Sequence, residues 1–119
     1  MHLTTASLIV NPCDDEYDNM ALLCCHGENG DLFSLTRFPD EDEVEISVGD
    51  VEAYAVSQLQ VTFGATRLLV ELDAEDARAF GGQARFEILH GTDAADWPEV
   101  EETLRIILKD VGTYVSEIG

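Results

Sequence analysis

The chain has 119 residues, enough for one domain (1–119) that buries a core without disulfides or bound metal. Its 45% apolar and 26% charged residues place it with globular rather than disordered proteins. Twenty-five acidic against six basic residues leave a formal charge of −19, which excludes phosphate backbones and anionic membranes as natural partners and favours basic proteins.

All six cations (Arg37, Arg67, Arg78, Arg85, Arg105, Lys109) lie from residue 37 onward, so the N-terminal third carries no fixed positive side chain. Met1-His2-Leu3 lacks a basic signal-peptide start and Leu8-Ile9-Val10 is too short for its apolar core. No stretch approaches the roughly 20 apolar residues of a membrane span. The expected location is the cytoplasm. The odd set Cys13, Cys24 and Cys25, two of them neighbours that point to opposite faces of a strand, fits free thiols in a reducing compartment.

In chain order, residues 3–10 form a first expected strand, ended by Asn11-Pro12. An acidic loop follows with Asp14, Asp15, Glu16 and Asp18. Residues 20–25 are apolar on both parities, the pattern of a central strand covered on both faces. Asn29-Gly30 suits a hairpin turn that returns into residues 32–38. Then comes the most unusual stretch: seven carboxylates between Asp40 and Glu52 with no Lys or Arg among them. Its second part alternates, Val44, Ile46 and Val48 against Glu43, Glu45 and Ser47, which turns the apolar set into a core. Leu59, Val61 and Phe63, and after Gly64 Leu68, Val70 and Leu72, repeat that period and predict an antiparallel meander.

Two helices punctuate the second half. Asp73 can cap a short helix over residues 74–80 stopped by Gly81-Gly82, and a strand with Ala84, Phe86 and Ile88 inward follows. Near the C-terminus Asp96 and Glu99 have capping-box spacing, Pro98 sits in the first turn and Gly112 lies beyond the end. Trp97, Val100, Leu104, Ile107, Leu108 and Val111 fall on one face of that helix. Ile106 lies on the opposite face, either as an isolated exposed residue or as a contact patch. Residues 113–118 alternate weakly and suggest an edge strand. The fold class is therefore α+β: an antiparallel β-meander sheet covered on one face by a C-terminal amphipathic helix, plus one short helix.

No catalytic or metal-binding constellation emerges. Cys24-Cys25-His26 supplies three ligand types, but consecutive strand residues diverge and no Cys-x-x-Cys or His-x-x-x-His spacing supports a tetrahedral cage. The acids after Asp14 lack the Gly and the twelfth-position Glu of a calcium loop. Gly81-Gly82 follows a helix instead of preceding one, so it is no phosphate cradle. No cofactor is expected; an enzyme would need a carboxylate in a dry pocket with a raised pKa.

Leu35-Thr36-Arg37 before the acidic turn, Gly49-Asp50 and Tyr54, Leu68 to Leu72 leading into Asp73-Ala74-Glu75-Asp76-Ala77, then Arg85-Phe86-Glu87-Ile88-Leu89 and Leu104-Arg105-Ile106-Ile107-Leu108 occur in that order. In this order the chain resembles immunity-protein family ten, small proteins encoded beside the toxins of bacterial polymorphic toxin systems. The likeness covers roughly residues 20–110 and departs from the family pattern at Ala55-Val56-Ser57-Gln58-Leu59-Gln60, which is shorter and plainer. It implies a protein that binds and neutralises a cognate toxin domain and has no catalytic activity of its own.

The charge pattern is compatible with such a role, since an acidic surface steers itself to a basic effector. The expected contact residues are Asp40, Glu41, Asp42, Glu43, Glu45 and Glu52, standing in for a row of phosphates, with Tyr54 as an aromatic anchor. Alternatives are a solvated face that only keeps the chain soluble, a self-associating domain that forms a weak homodimer through Ile106 and the terminal strand, and a small enzyme that uses the carboxylates.

Overall fold

The alternating apolar residues assemble into two sheets. The computed structural model describes residues 2–14, 19–28, 30–49 and 53–117. One sheet has the spatial order β1 (His2–Thr5), β9 (Arg85–His90), β8 (Arg67–Leu72), β7 (Leu59–Phe63), β10 (Gly112–Ser116). Its outer strands β1 and β10 run parallel to their neighbours and the inner pairs are antiparallel, so we call it the mixed sheet. The other is an antiparallel meander in sequence order: β2 (Ile9–Asp14), β3 (Met20–His26), β4 (Leu32–Arg37), β5 (Val44–Val48), β6 (Tyr54–Val56). The α+β class, the meander and the C-terminal helix are as the sequence predicts, but the strands divide between two sheets.

A single cluster of buried residues joins both sheets. Across the meander sheet the register aligns Val10, Leu23, Leu35, Ile46 and Tyr54 on the inner side. Phe33 of β4 meets Phe86 of β9 with ring centroids 5.4 Å apart, linking sheet to sheet. Helix α2 (Trp97–Leu108) packs on β2, β3 and β4 of one sheet and on β7 and β10 of the other, filling the space between them on that side. Its Val100, Leu104, Ile107 and Leu108 are all buried, each such side chain contributing about 1.5–3 kcal/mol over exposure. On the other side the short helix α1 (Ala74–Ala77) runs into a 3-10 turn, Arg78–Phe80, whose Phe80 packs edge-on against Phe86.

Several local expectations change. Residues 3–10 are not one strand: the chain crosses between the sheets there. The crossing backbone is held by Gly91 N–H on the Ala6 carbonyl and by Leu8 N–H on Thr92 Oγ1. The strand after the crossing continues through Pro12, tolerated because β2 is an edge with a register shift between Asn11 and Asp14. Residues 20–25 are sealed on one face only: Ala21, Leu23 and Cys25 are buried, while Leu22 and Cys24 are half-buried outside. The β3–β4 hairpin closes through Gly27 N–H on the Asp31 carbonyl, with Gly30 at φ 84°; Asn29 lies outside the described residues.

The two helices differ in how their ends match the sequence pattern. Asp73 caps α1 by accepting from the Asp76 N–H at 2.9 Å. At α2 the expected capping box does not form. Asp96 has helical backbone angles and makes no side-chain cap; Asp93 caps a preceding 3-10 turn, Ala94–Asp96, instead. The chain reverses after α2 at Asp110, φ 60°, and not at Gly112. Gly112 is needed for close approach: a Cβ there would lie 2.5 Å from the Leu59 carbonyl oxygen.

Candidate functional site

The acidic turn between β4 and β5 is built on Arg37. By register Arg37 lies opposite Ala21, on the core-facing parity of β4, yet at the strand end it has no core to enter. Its guanidinium instead donates to three carbonyls: Glu41 at 2.8 Å, Ile107 at 3.0 Å and Lys109 at 2.8 Å. The last two belong to the end of α2, where carbonyls lack helical partners and the helix dipole is negative. One cation therefore caps a helix and pins the turn to it. Glu41 N–H closes the turn on the Phe38 carbonyl at 3.1 Å.

Held this way, Asp40, Glu41, Asp42 and Glu43 are all exposed. None of these four, nor Glu45, takes part in an ion pair among the described residues. An open depression of about 540 Å³ lies beside the turn, lined by Asn19, Phe38, Pro39, Asp40 and Glu41. Glu45 stands half-buried on the outer face of the meander sheet, in a row with Asn11, Leu22, Thr36 and Ala55. It is that row's one carboxylate, on the same strand as the end of the turn.

Tyr54 is placed elsewhere. It pairs with Ile46, three residues along β5 from Glu43 or about 10 Å, and shares the inner parity of Ile46, whereas Glu45 points outward. Its ring packs edge-on against Phe80 at 5.8 Å and its hydroxyl donates to Asp76 Oδ1 at 3.4 Å. Desolvation and the Asp76 carboxylate push the phenol above its ordinary pKa. Desolvation and neighbouring Asp73 in turn push Asp76 upward. Tyr54 thus joins β6 to α1 and its own acidic group. Glu52 lies outside the described residues, as do Asp15, Glu16 and Asp18 of the first acidic loop.

Two features were missed from sequence. The anchoring by Arg37 was signalled only by its being the one cation before the acidic run. Of the α1 acids near Tyr54 the sequence predicts only the Asp73 cap, because nothing local shows that β6 ends beside that helix. Elsewhere, Cys24 and Cys25 are free thiols on opposite faces of β3, burial pushing Cys25 up to about 12. Among the described residues no cluster of three or more His, Cys, Asp or Glu is arranged to hold a metal, and no helix is long and apolar enough to cross a membrane. No family model, curated protein or solved structure matches the chain.

Proposed function

We propose that the chain is a cytoplasmic immunity protein that binds and neutralises a cognate bacterial toxin domain of basic character. The supporting observation is the turn itself: four exposed carboxylates without cation partners among the described residues, on a loop that Arg37 fastens to the end of α2. A preorganised loop loses little entropy on docking, and carboxylates without internal partners keep their full field for steering a cation-rich surface. Glu45 extends that surface onto the outer sheet face. Tyr54, on the inner side and engaged with Phe80 and Asp76, serves the fold more than the contact. Action is by occlusion, with no chemistry on the toxin and no cofactor; nucleic acids and membranes are repelled by the −19 charge.

The test is co-expression with the toxin encoded beside it, scoring survival together with co-purification at low and high salt. Rescue with a one-to-one complex that weakens as salt rises is the expected result. Absence of both rescue and a low-salt complex would end the immunity reading.

A further inference from the structure

Every open sheet edge presents unpaired N–H and C=O groups, and proteins blunt such edges by shortness, proline, bulges or charge. Three of the four edges here are blunted. β1 has four residues, β6 has three, and β2 carries Pro12 with a register shift. β10 is different: five residues, Gly-Thr-Tyr-Val-Ser, in regular register with β7, with no charge, proline or bulge.

The ladder fixes which groups are open. Glu117 N–H donates to the Phe63 carbonyl at 2.9 Å. In a parallel pair the residues of one parity bond the neighbour and those of the other parity turn away. Thr113, Val115 and Glu117 therefore face β7, and Gly112, Tyr114 and Ser116 direct their N–H and C=O groups to the open edge. The Tyr114 side chain does not cover them, because its hydroxyl donates to Glu101 Oε2 of α2 at 2.7 Å. Thr113, Val115 and Ser116 are exposed.

We propose that β10 pairs antiparallel with β10 of a second copy, around a two-fold axis at Tyr114, joining the two mixed sheets into one. The sequence is self-complementary in that register. Tyr114 meets its equivalent and Gly112 meets Ser116, so all three outward-turned positions find partners. Thr113 comes opposite Val115 on the outer face, a pairing of β-branched residues that favours strand association. Two −19 chains repel over most of their surface, so copies approach with least repulsion at this uncharged edge. Two carboxylates beside β10 have cation partners: Arg67 lies 3.8 Å from Glu117, and Arg105 lies 3.7 Å from Glu101 and 5.5 Å over the Tyr114 ring. Five-residue edges are small against the roughly 1,200–2,000 Å² of a stable interface, so the dimer is concentration-dependent. The inference is independent of toxin binding.

Sedimentation equilibrium over a concentration series up to about 1 mM, the range of weak association, tests it. Wild type should dimerise. Ser116→Pro removes an outward N–H, together with the hydroxyl that bonds Glu101 and Tyr114, while leaving every backbone bond to β7, and Val115→Lys places a charge against the partner strand. Each should weaken dimerisation at least tenfold with unchanged circular dichroism, and Val115→Lys, which breaks no contact within the fold, should also leave the thermal midpoint unchanged. Ile106→Glu, on the exposed side of α2, should leave the dimer intact. A monomeric wild type across the range, a dimer indifferent to both β10 changes, or one dissociated by Ile106→Glu would each overturn the proposal.

Discussion

Two corners of the molecule do the same mechanical job with opposite chemistry. At the β4–β5 turn a loop is fastened by a permanent cation, Arg37, that reaches three backbone carbonyls and leaves Asp40, Glu41, Asp42 and Glu43 facing water. At the corner between β9 and α2 the fastening is neutral and buried. His90 Nε2 bonds the Gly64 carbonyl at 2.9 Å and Nδ1 accepts from Thr92 N–H at 3.3 Å. The ring stacks on Phe63, the Thr92 hydroxyl takes Leu8 N–H, and the Thr92 carbonyl takes Trp97 Nε1–H at 3.1 Å. Every polar group at the second corner is spent on the fold. The first spends one cation and keeps its anions, which is why it is the place to look for a partner.

Breaking the charged anchor should have the largest effect. Arg37→Ala strands the final carbonyls of α2 and frees the turn, at a cost of about 2 kcal/mol, the range for hydrogen bonds to a charged group. Urea denaturation checks this, with amide exchange at Glu41 rising more than exchange in β7 or β8. Arg37→Lys should recover only part of the loss, because an ammonium cannot match the fork that spans Glu41, Ile107 and Lys109. Equal stability for wild type and Arg37→Ala would mean the turn is held by something else.

How far these corners could be foreseen depends on how local their causes are. The strand periods of Val44 and Ile46 or of Leu68 and Val70, the apolar stripe of α2, the cap at Asp73 and the stop at Gly81 follow from neighbours in sequence, and the fold keeps them. The division into two sheets does not. It depends on the crossing between Ala6 and Leu8, where the Ala6 carbonyl is satisfied by Gly91 and the Leu8 N–H by Thr92, more than 80 residues away. The same distance hid the site's construction, since Arg37 reaches carbonyls about 70 residues downstream. Tyr54 follows the acidic run in sequence, but pairing with Ile46 turns it to the side opposite Glu45. Strand parity is readable within a strand, but a turn resets it.

The neutral corner should fail in acid where the charged one does not. Burial lowers the pKa of His90 below its ordinary 6.5. In the unfolded chain the ring takes up a proton as pH drops through that value, while the folded protein resists, because a protonated Nδ1 could no longer accept from Thr92. The stability tied to neutral His90 is complete above the unfolded value and drains away as pH falls from it toward the lowered folded value. The urea midpoint should therefore drop between pH 7 and about pH 5, and His90→Gln, which keeps a donor for Gly64 but cannot titrate in that range, should flatten the drop. Glu101, held below its ordinary value chiefly by the Tyr114 hydroxyl, adds its own loss only at more acid pH. An unchanged slope in His90→Gln would transfer the acid sensitivity to the carboxylates.

The smallest expected effect on stability carries the most weight for function. Replacing Asp40, Glu41, Asp42 and Glu43 by their amides removes four charges that pair with no cation among the described residues, so the unfolding free energy should move by less than about 0.5 kcal/mol. If the sign is resolved it should be a gain, since self-repulsion in a −19 chain is relieved. The same variant should bind a basic toxin domain more slowly, with the on-rate falling roughly tenfold or more at low salt and converging on wild type as salt rises. The sets of charges at Glu87, Glu101 and Glu117 provide the control, because these acids are paired with Arg67 or Arg105 and their neutralisation alters contacts within the fold. A turn variant that is as stable as wild type and slower to bind would separate the two corners by role. One that loses stability as well would show the carboxylates to be part of the scaffold, leaving the outer face at Glu45 as the remaining contact surface.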